Sequence, residues 1–315
     1  MALAGSPTAT NLLVWSSGFR RGKLLRLAVQ VDHLRNREWV QHCQRQDLAV
    51  LYLHAINPCG FSWLRRVSED NVDLNRNFID FAQPVPDNPD YRILAPPLLP
   101  RRQPPTLFST LGLAEYALRH GRKPPQSAIT LGQHSHPEGL FFAGTAPAWS
   151  NLQLRQIIRR LGNHSRRIGW IDVHTGPGPC GVGERIYEGL NHPSDIARAR
   201  SWWGPQVTTN VDGTSSSAML DGTLDLAVME ECPHAQYNGL TLEYGTQPGP
   251  RVLEALRADH WLHTHPQTAQ ARRVQIKRQL RDAFHIETEG WKRPVLERAR
   301  EVTALSLRSL ATRLE

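Results

Sequence analysis

Two continuous apolar runs of strand length constrain the fold of this chain more than any other feature. They are Leu48–His54 and Arg167–His174, and a third strand is predicted at Asn11–Ser16. Strands that are apolar on both faces are typical of parallel sheets covered by helices on both sides. Segments with helical spacing lie between and after these runs, which favours the same arrangement. We therefore predict an α/β fold with a mostly parallel or mixed central sheet and helices on both faces.

Helical spacing of apolar residues predicts four helices in the second half of the chain. The first follows Ser150 or Asn151, either of which is a suitable N-cap. The predicted helices cover residues 151–164, 252–264, 268–285 and 291–312. The last of these is the predicted C-terminal helix.

Length and composition favour a single domain. The chain has 315 residues, 40% of them hydrophobic, which is enough for one large core, and no linker is recognisable. Proline-rich residues 84–89 and 96–105 are predicted to be long surface loops. We expect one domain over residues 1–315.

A polar motif, Asn-Val-Asp-Leu-Asn-Arg-Asn-Phe at residues 71–78, is the most distinctive stretch of the sequence. It follows the pair Arg65-Arg66, and it precedes two strand-like segments that end near His174 and Glu243. In open α/β sheets the ligand crevice lies outside the carboxyl ends of the strands, which is where these residues are predicted to lie. Because Glu243 stands in an apolar strand, it is either a catalytic carboxylate or a salt-bridged structural one.

The order of these four segments resembles the zinc carboxypeptidases. An uncharacterised bacterial branch of that family also carries counterparts of Gly132–Thr145 and Trp149–Asn151, and the resemblance covers about residues 10 to 300. It implies that Asn75 and Arg76 bind the free carboxylate of the substrate, and that Arg66 or Arg65 polarises the scissile carbonyl. It further implies that His174 is a zinc ligand and Glu243 the general base. The implied fold is that of a zinc carboxypeptidase, and the N-terminus is expected to be truncated.

The resemblance fails at the first two zinc ligands. The family carries them as His-x-x-Glu after an early strand, whereas here Asn11–Ser16 leads into Phe19–Leu27, which contains neither residue. A catalytic zinc needs three protein ligands and an open position for water. If each ligand contributes about 3 to 4 kcal/mol, the loss of two costs on the order of 6 to 8 kcal/mol of zinc affinity. Zinc, the cofactor that the resemblance implies, is predicted to bind weakly or not at all.

We hypothesise that residues 19–27 record a shifted reading frame. Only four of the 37 basic residues are lysines, and such arginine bias is typical of a GC-rich gene. One possible coding sequence for Phe19–Leu27, read in another frame, encodes Gly-Val-Glu-Ser-Phe-Cys-Gly, which is the expected loop. The alternative is true divergence to a protein without catalysis. Resequencing decides between them, because the hypothesis is wrong if those codons contain no shifted His-x-x-Glu.

Other histidines are not predicted to replace the absent ligands. His134, His136 and Glu138 lie between glycines and prolines and are assigned a structural or pocket-lining role. His263 and His265 follow an apolar stretch and are interpreted as partly buried or capping residues.

Charge and cysteine usage exclude several classes of protein. The net charge is +8 and the isoelectric point about 9.7, but the basic residues are scattered, so nucleic-acid binding is not predicted. Four well-separated cysteines do not suggest a disulfide framework, and no signal or membrane-spanning stretch is recognisable. We expect a cytoplasmic protein that does not bind membranes.

Three functions remain open from the sequence. The first is a zinc-dependent hydrolase that cleaves an amide bond next to a free carboxylate and is inactive or impaired in this chain. The second is a non-catalytic carboxylate-binding protein, and the third is a deacylase of N-acyl amino acids. The expected partner in each case is a peptide or an N-acyl amino acid with a free carboxylate.

Overall fold

A mixed seven-stranded sheet forms the centre of the part of the chain that the structure describes. The structure is a computed structural model that describes residues 1–16, 23–45, 47–121, 123–187, 189–190 and 192–311. The strands are β1 (Ala2–Gly5), β2 (Asn11–Ser16), β3 (Leu48–Leu53), β4 (Arg167–Cys180), β5 (Gly183–Tyr187), β6 (Thr208–Thr209) and β7 (Gln236–Gly245). Their order in the sheet is β1-β3-β2-β4-β7-β5-β6.

Most neighbouring strands of this sheet run parallel. The pairs β2/β3, β2/β4, β4/β7 and β5/β6 are parallel, whereas β1/β3 and β5/β7 are antiparallel. The predicted α/β fold with a mostly parallel or mixed sheet is therefore confirmed. The strand predicted at 48–54 ends one residue earlier, at Leu53.

Helices cover both faces of the sheet, and in the sequence they lie between and after the strands. They are α1 (Lys23–Arg35), α2 (Arg37–Arg45), α3 (Pro58–Ser62), α4 (Pro89–Leu98), α5 (Leu107–His120), α6 (Lys123–Thr130), α7 (Trp149–Gly162), α8 (Pro193–Trp203), α9 (Leu224–Glu231), α10 (Gly249–Thr264), α11 (Gln270–Phe284) and α12 (Glu289–Ala311). The four predicted helices correspond to α7, α10, α11 and α12, with ends shifted by at most three residues. Residue 312, the predicted end of the last one, lies outside the described residues.

Two apolar clusters cover the two faces of the sheet. On the face that we call the front, Val14 and Trp170 pack with Leu154 of α7 and Val228 of α9. The segment 72–78 belongs to the same cluster. On the opposite face, strand residues pack against buried side chains of α1, α2, α8 and α12, namely Val29, Trp39, Trp203 and Val295. Because strand side chains alternate between faces, continuous apolar runs are what a sheet covered on both sides requires.

A third cluster lies among the helices α4, α5, α6, α10 and α11. Its buried members include Tyr91, Leu98, Phe141 and Leu280. No helix in the described ranges is long and apolar enough to cross a membrane.

Two local predictions were wrong. Helix α7 begins at Trp149, with Ala148 as its N-cap, so Ser150 and Asn151 lie inside its first turn. The reason is that the N–H of Ala148 is bound from outside the helix by Asn77 Oδ1, at 2.8 Å. A cap supplied by a distant residue leaves no local pattern in the sequence.

The second prediction, that of proline-rich loops, was wrong only at Pro89 and at residues 96–98, whereas residues 84–88 and 99–105 lie outside helices and strands. Pro96 and Pro97 lie in the last turn of α4, and Pro89 begins that helix. Proline suits a first helical position, where its missing N–H is not needed. At the other end, Arg257 donates to the carbonyls of Pro97 and Leu98 at 2.6 and 3.2 Å and so satisfies carbonyls that the helix leaves without partners.

Candidate functional site

His174 and Glu243 lie side by side near the carboxyl ends of β4 and β7. The two residues are register partners across this parallel pair. His174 Nδ1 is 3.6 Å from Glu243 Oε2, and both side chains are almost completely buried. By strand alternation, His174 shares the front face with Trp170, and Glu243 shares it with Tyr237. These two predicted site residues are therefore brought together.

The ring of His174 is held by a chain of hydrogen bonds. Its Nε2 is 2.6 Å from Asp172 Oδ2. Ser16 Oγ donates to Asp172 Oδ1 at 2.6 Å and accepts from Trp170 Nε1 at 2.9 Å. With Nε2 engaged by a carboxylate, Nδ1 is the nitrogen that faces Glu243.

The charge state of His174 follows from this environment. Burial lowers the pKa of His174, but the Asp172 carboxylate, followed by Glu243, outweighs burial and raises that pKa to about 9. The carboxylates of Asp172 and Glu243 therefore favour the protonated form of the imidazole.

The start of α9 connects this pair to the polar motif. Asn75 Oδ1 accepts a hydrogen bond from the backbone N–H of Leu224 at 3.4 Å. The next residue, Asp225, is buried and accepts from the hydroxyl of Tyr237. Burial raises the pKa of Asp225, and the nearby Asp172 acts in the same direction.

Arg65 and Arg66 have different surroundings. Arg66 forms a buried ion pair with Asp73, with Nε and Nη2 at 2.7 and 2.6 Å from Oδ2, and its guanidinium lies 4.6 Å from the ring centre of Phe141. Arg65 Nη2 donates to Asn71 Oδ1 at 3.2 Å, and burial lowers the pKa of Arg65. Within the described chain, Arg65 Nε is buried without a hydrogen-bond partner.

Arg76 is buried and held by backbone carbonyls. Its Nε donates to the carbonyl of Thr130 at 2.7 Å, Nη2 donates to the same oxygen, and Nη1 donates to the carbonyl of Asn75. Gly132 has a φ of +106° and lies against the Arg76 side chain, where an added Cβ would come within 2.9 Å of Cδ. A small pocket beside Arg76 is lined by His134, Asp87, Asn88 and Asp221, among others.

The comparison with protein families decides the classification. Residues 1–298 match the family described as "Protein of unknown function (DUF2817)". The chain belongs to this DUF2817 family. No curated protein matches it.

Several solved structures resemble this DUF2817 chain at low identity. They include carboxypeptidase A from Helicoverpa armigera (TM-score 0.43, 13% identity, 88% of this chain and 62% of that chain). Two succinylglutamate desuccinylases, from Chromobacterium violaceum and Vibrio cholerae, have TM-scores of 0.37 and 0.40, with 15% identity each. They match over 88% of this chain and 60% and 57% of theirs. The chain thus spans about three fifths of their length, and at these identities the likeness concerns the fold alone.

Among the residues that the structure describes, those of this DUF2817 chain do not fit a catalytic zinc ion. Across the described ranges, no group of three His, Cys, Asp or Glu side chains is arranged to hold a metal. Ser17–Gly22 lie outside the described residues, including the first part of the predicted altered loop Phe19–Leu27. Their sequence contains none of these four residue types. One histidine is too few for a site that needs three protein ligands.

The second histidine group also has other partners. His134 Nδ1 is 2.7 Å from the carbonyl oxygen of Gly144, and His136 Nδ1 is 2.9 Å from Ser135 Oγ. The structural or pocket-lining role of residues 134–138 stays a prediction.

Sequence reasoning missed four residues of this site, namely Ser16, Asp73, Asp172 and Asp225. Two of them had a usable signal. Asp172 precedes His174 by two positions in a predicted strand, which places both side chains on one face. Asp73 lies inside the motif, seven residues after Arg66. Ser16 and Asp225 depend on contacts between distant parts of the chain and had no local signal.

Proposed function

We propose that this chain recognises a ligand in which an amide bond adjoins a free carboxylate, such as a peptide or an N-acyl amino acid. We propose further that it does not hydrolyse this ligand as it stands. The observation that carries the proposal is the pairing of His174 with Glu243 on the front face, where the segment holding Asn75 and Arg76 also packs. A hydrolytic centre of this kind would use Glu243 as a proton acceptor next to the scissile bond.

Arg76 supports recognition of the carboxylate. A guanidinium presents parallel N–H groups that match the two oxygens of a carboxylate. The carbonyls of Thr130 and Asn75 fix its orientation in advance, which lowers the entropy lost when a ligand binds. Asn75 is buried beside it and is fixed through Leu224.

The donor set argues against hydrolysis by this chain. By the resemblance to zinc carboxypeptidases, His174 is the one zinc ligand that the sequence retains, and no group of three ligand side chains among the described residues could hold the metal that would activate water. Of the functions considered, only carboxylate binding without catalysis does not depend on the two absent zinc ligands. Hydrolysis, whether of peptides or of N-acyl amino acids, requires the two absent ligands.

The test is a binding measurement that isolates the carboxylate. N-acetyl-L-phenylalanine and its carboxamide differ only at that group. We expect the acid to bind at least about tenfold more tightly, because charge-assisted hydrogen bonds contribute about 1.5 to 3 kcal/mol. Arg76→Lys should remove most of this preference, since lysine lacks the planar fork. Arg119→Lys, at an exposed arginine paired with Glu115 on α5, is the matched control. Equal binding of acid and carboxamide by the unmodified chain would refute the proposal.

A further inference from the structure

The small pocket beside Arg76 offers a place for one further group of the ligand. Its enclosed space is about that of a single water molecule. Pro86, Leu131 and Ala143 form the apolar part of its wall, and Gly132, which also lines it, lies against the stem of Arg76. The side chain next to a carboxylate bound on Arg76 would therefore lie within reach of this pocket.

Two polar groups of the lining have unused acceptors. Asp221 is exposed and takes part in no hydrogen bond or ion pair with the residues that the structure describes. His134 Nδ1 is 2.7 Å from the carbonyl oxygen of Gly144, and because a carbonyl only accepts, Nδ1 carries the proton. In the neutral ring Nε2 is then an acceptor. The pocket therefore presents a carboxylate and an imidazole nitrogen that can both accept from a ligand.

Asp87 and Asn88, which also line the pocket, are engaged within the protein. Both oxygens of Asp87 accept from the guanidinium of Arg92, at 2.6 and 3.0 Å. The side-chain nitrogen of Asn88 donates to two backbone carbonyls, both at 2.8 Å, and its oxygen accepts from the N–H of Tyr91 at 3.0 Å. The charge of Asp87 is therefore balanced by its partner, whereas the carboxylate of Asp221 is available to a ligand.

We propose that this pocket takes a side-chain ammonium group, and that the residue of the ligand that carries the free carboxylate is lysine. The inference rests on the proposed function, in which Arg76 binds that carboxylate. An ammonium group is close to a water molecule in size and donates up to three hydrogen bonds, which suits a pocket with acceptors. Asp221 attracts its charge. The alkyl chain that precedes it would lie along Pro86, Leu131 and Ala143.

The test varies the ammonium group and the carboxylate independently. Nα-acetyl-L-lysine and Nα-acetyl-L-norleucine have the same carbon chain and differ at the ammonium group, and the carboxamide of each lacks the free carboxylate. In calorimetric or NMR titrations of the unmodified chain, we expect the lysine compound to bind at least about threefold more tightly than the norleucine compound, because ion pairs with an exposed carboxylate are weak but measurable. Each carboxamide should bind more weakly than its acid, as the proposed function requires.

A pair of variants assigns the preference to one carboxylate. Asp221→Asn keeps the size of the side chain and removes its charge, so it should abolish the preference for the lysine compound while binding of the norleucine compound stays within about twofold. Asp282→Asn makes the same substitution at an exposed carboxylate of α11 outside the pocket lining, and it should leave the preference unchanged. Thermal unfolding of each variant verifies that it is folded, and the comparison on the unmodified chain needs no variant.

The outcomes separate this inference from the proposed function. If both acids bind more tightly than their carboxamides but the lysine and norleucine compounds bind equally, the inference is wrong and the proposed function stands. A preference for lysine that survives in Asp221→Asn also overturns the inference. If lysine is preferred among acids and carboxamides alike, with no advantage for the acids, and Asp221→Asn removes the preference, the ammonium pocket is supported and the carboxylate clamp is contradicted. If none of the four compounds binds, both are wrong.

Discussion

The side chains of residues 71–78 hold the surrounding segments together. Asn71 donates to the carbonyls of Pro137 and Gly139 at 2.9 and 2.8 Å. Asn77 donates to the carbonyl of Ala143 at 2.7 Å, and its side-chain oxygen binds the N–H of Ala148. The motif that resembles a substrate clamp therefore also fixes residues 137–148 against the sheet. A substitution here is expected to affect folding as well as ligand binding.

The Arg66–Asp73 ion pair gives a prediction about stability. Asp73→Asn leaves a buried guanidinium without its counter-charge, since the side chains of the pair are only 6% and 0% exposed. We expect the free energy of unfolding to fall by about 3 to 5 kcal/mol, measured by urea denaturation. Asp87→Asn breaks an exposed pair with Arg92 and should change stability little. Equal effects of the two substitutions would show that burial of the Arg66–Asp73 pair has no energetic consequence.

Gly132 gives a second prediction at this scale. Gly132→Ala combines a φ of +106° with a contact at 2.9 Å from Arg76 Cδ. We expect a loss of stability of about 1 to 3 kcal/mol and weaker binding of carboxylate ligands, because Arg76 must move. Gly213→Ala is the control, since Gly213 also has a positive φ, +70°, but nothing lies within 4 Å of an added Cβ. If both variants bind ligand normally, Gly132 does not position Arg76.

Among the secondary-structure elements, those with strong periodicity could be predicted and those held by distant partners could not. Strands β2, β3 and β4 were predicted because both of their faces are buried. The pairing of His174 with Glu243 also follows from two strands that end at one edge of the sheet. The start of α7 could not be predicted, because Asn77 caps it from another segment. The contact of Ser16 with Asp172 depends on the register of β2 against β4, which no local pattern specifies.

Helix α1 carries a buried histidine that should make stability depend on pH. His33 packs against the rings of Trp15 and Trp39, with centroids at 4.9 and 5.2 Å, and its Nε2 is 3.1 Å from Thr303 Oγ1 on α12. Burial lowers the pKa of His33 from 6.5 to about 4, outweighing the opposite effect of Asp32. Between these pH values the unfolded chain binds a proton that the folded chain does not. The contribution of His33 to stability is therefore complete above pH 6.5 and falls as the pH decreases towards 4.

The size of this effect is up to about 3 kcal/mol for His33. Denaturation at a series of pH values measures it, with His33→Gln as the comparison, because glutamine does not titrate. His260, whose pKa burial also lowers to about 4, adds its own dependence, which remains in the variant. The prediction is wrong if the stability of the variant falls as steeply as that of the unmodified chain between pH 6.5 and 4.

For the molecule as a whole, metal content is the decisive property. We expect the purified chain to contain far less than one zinc ion per molecule, because His174 lacks two partner ligands. Replacement of residues 19–27 by a loop that contains His-Gly-Val-Glu should restore both zinc and hydrolysis of an amide substrate. Elemental analysis and an activity assay measure the two results. The control loop carries alanine in place of the histidine and the glutamate. Stoichiometric zinc in the unmodified chain would contradict the expectation.

The order of strands has a consequence for how the protein is made. Ser16, His174 and Glu243 come from β2, β4 and β7, which are neighbours in space although they are far apart in the sequence. Long-range pairing of this kind forms slowly. During synthesis on the ribosome, the edge of β4 that pairs with β7 stays uncovered until β7 has left the exit tunnel. Nascent chains shorter than this point expose an apolar edge, and they are the species on which chaperones are expected to act.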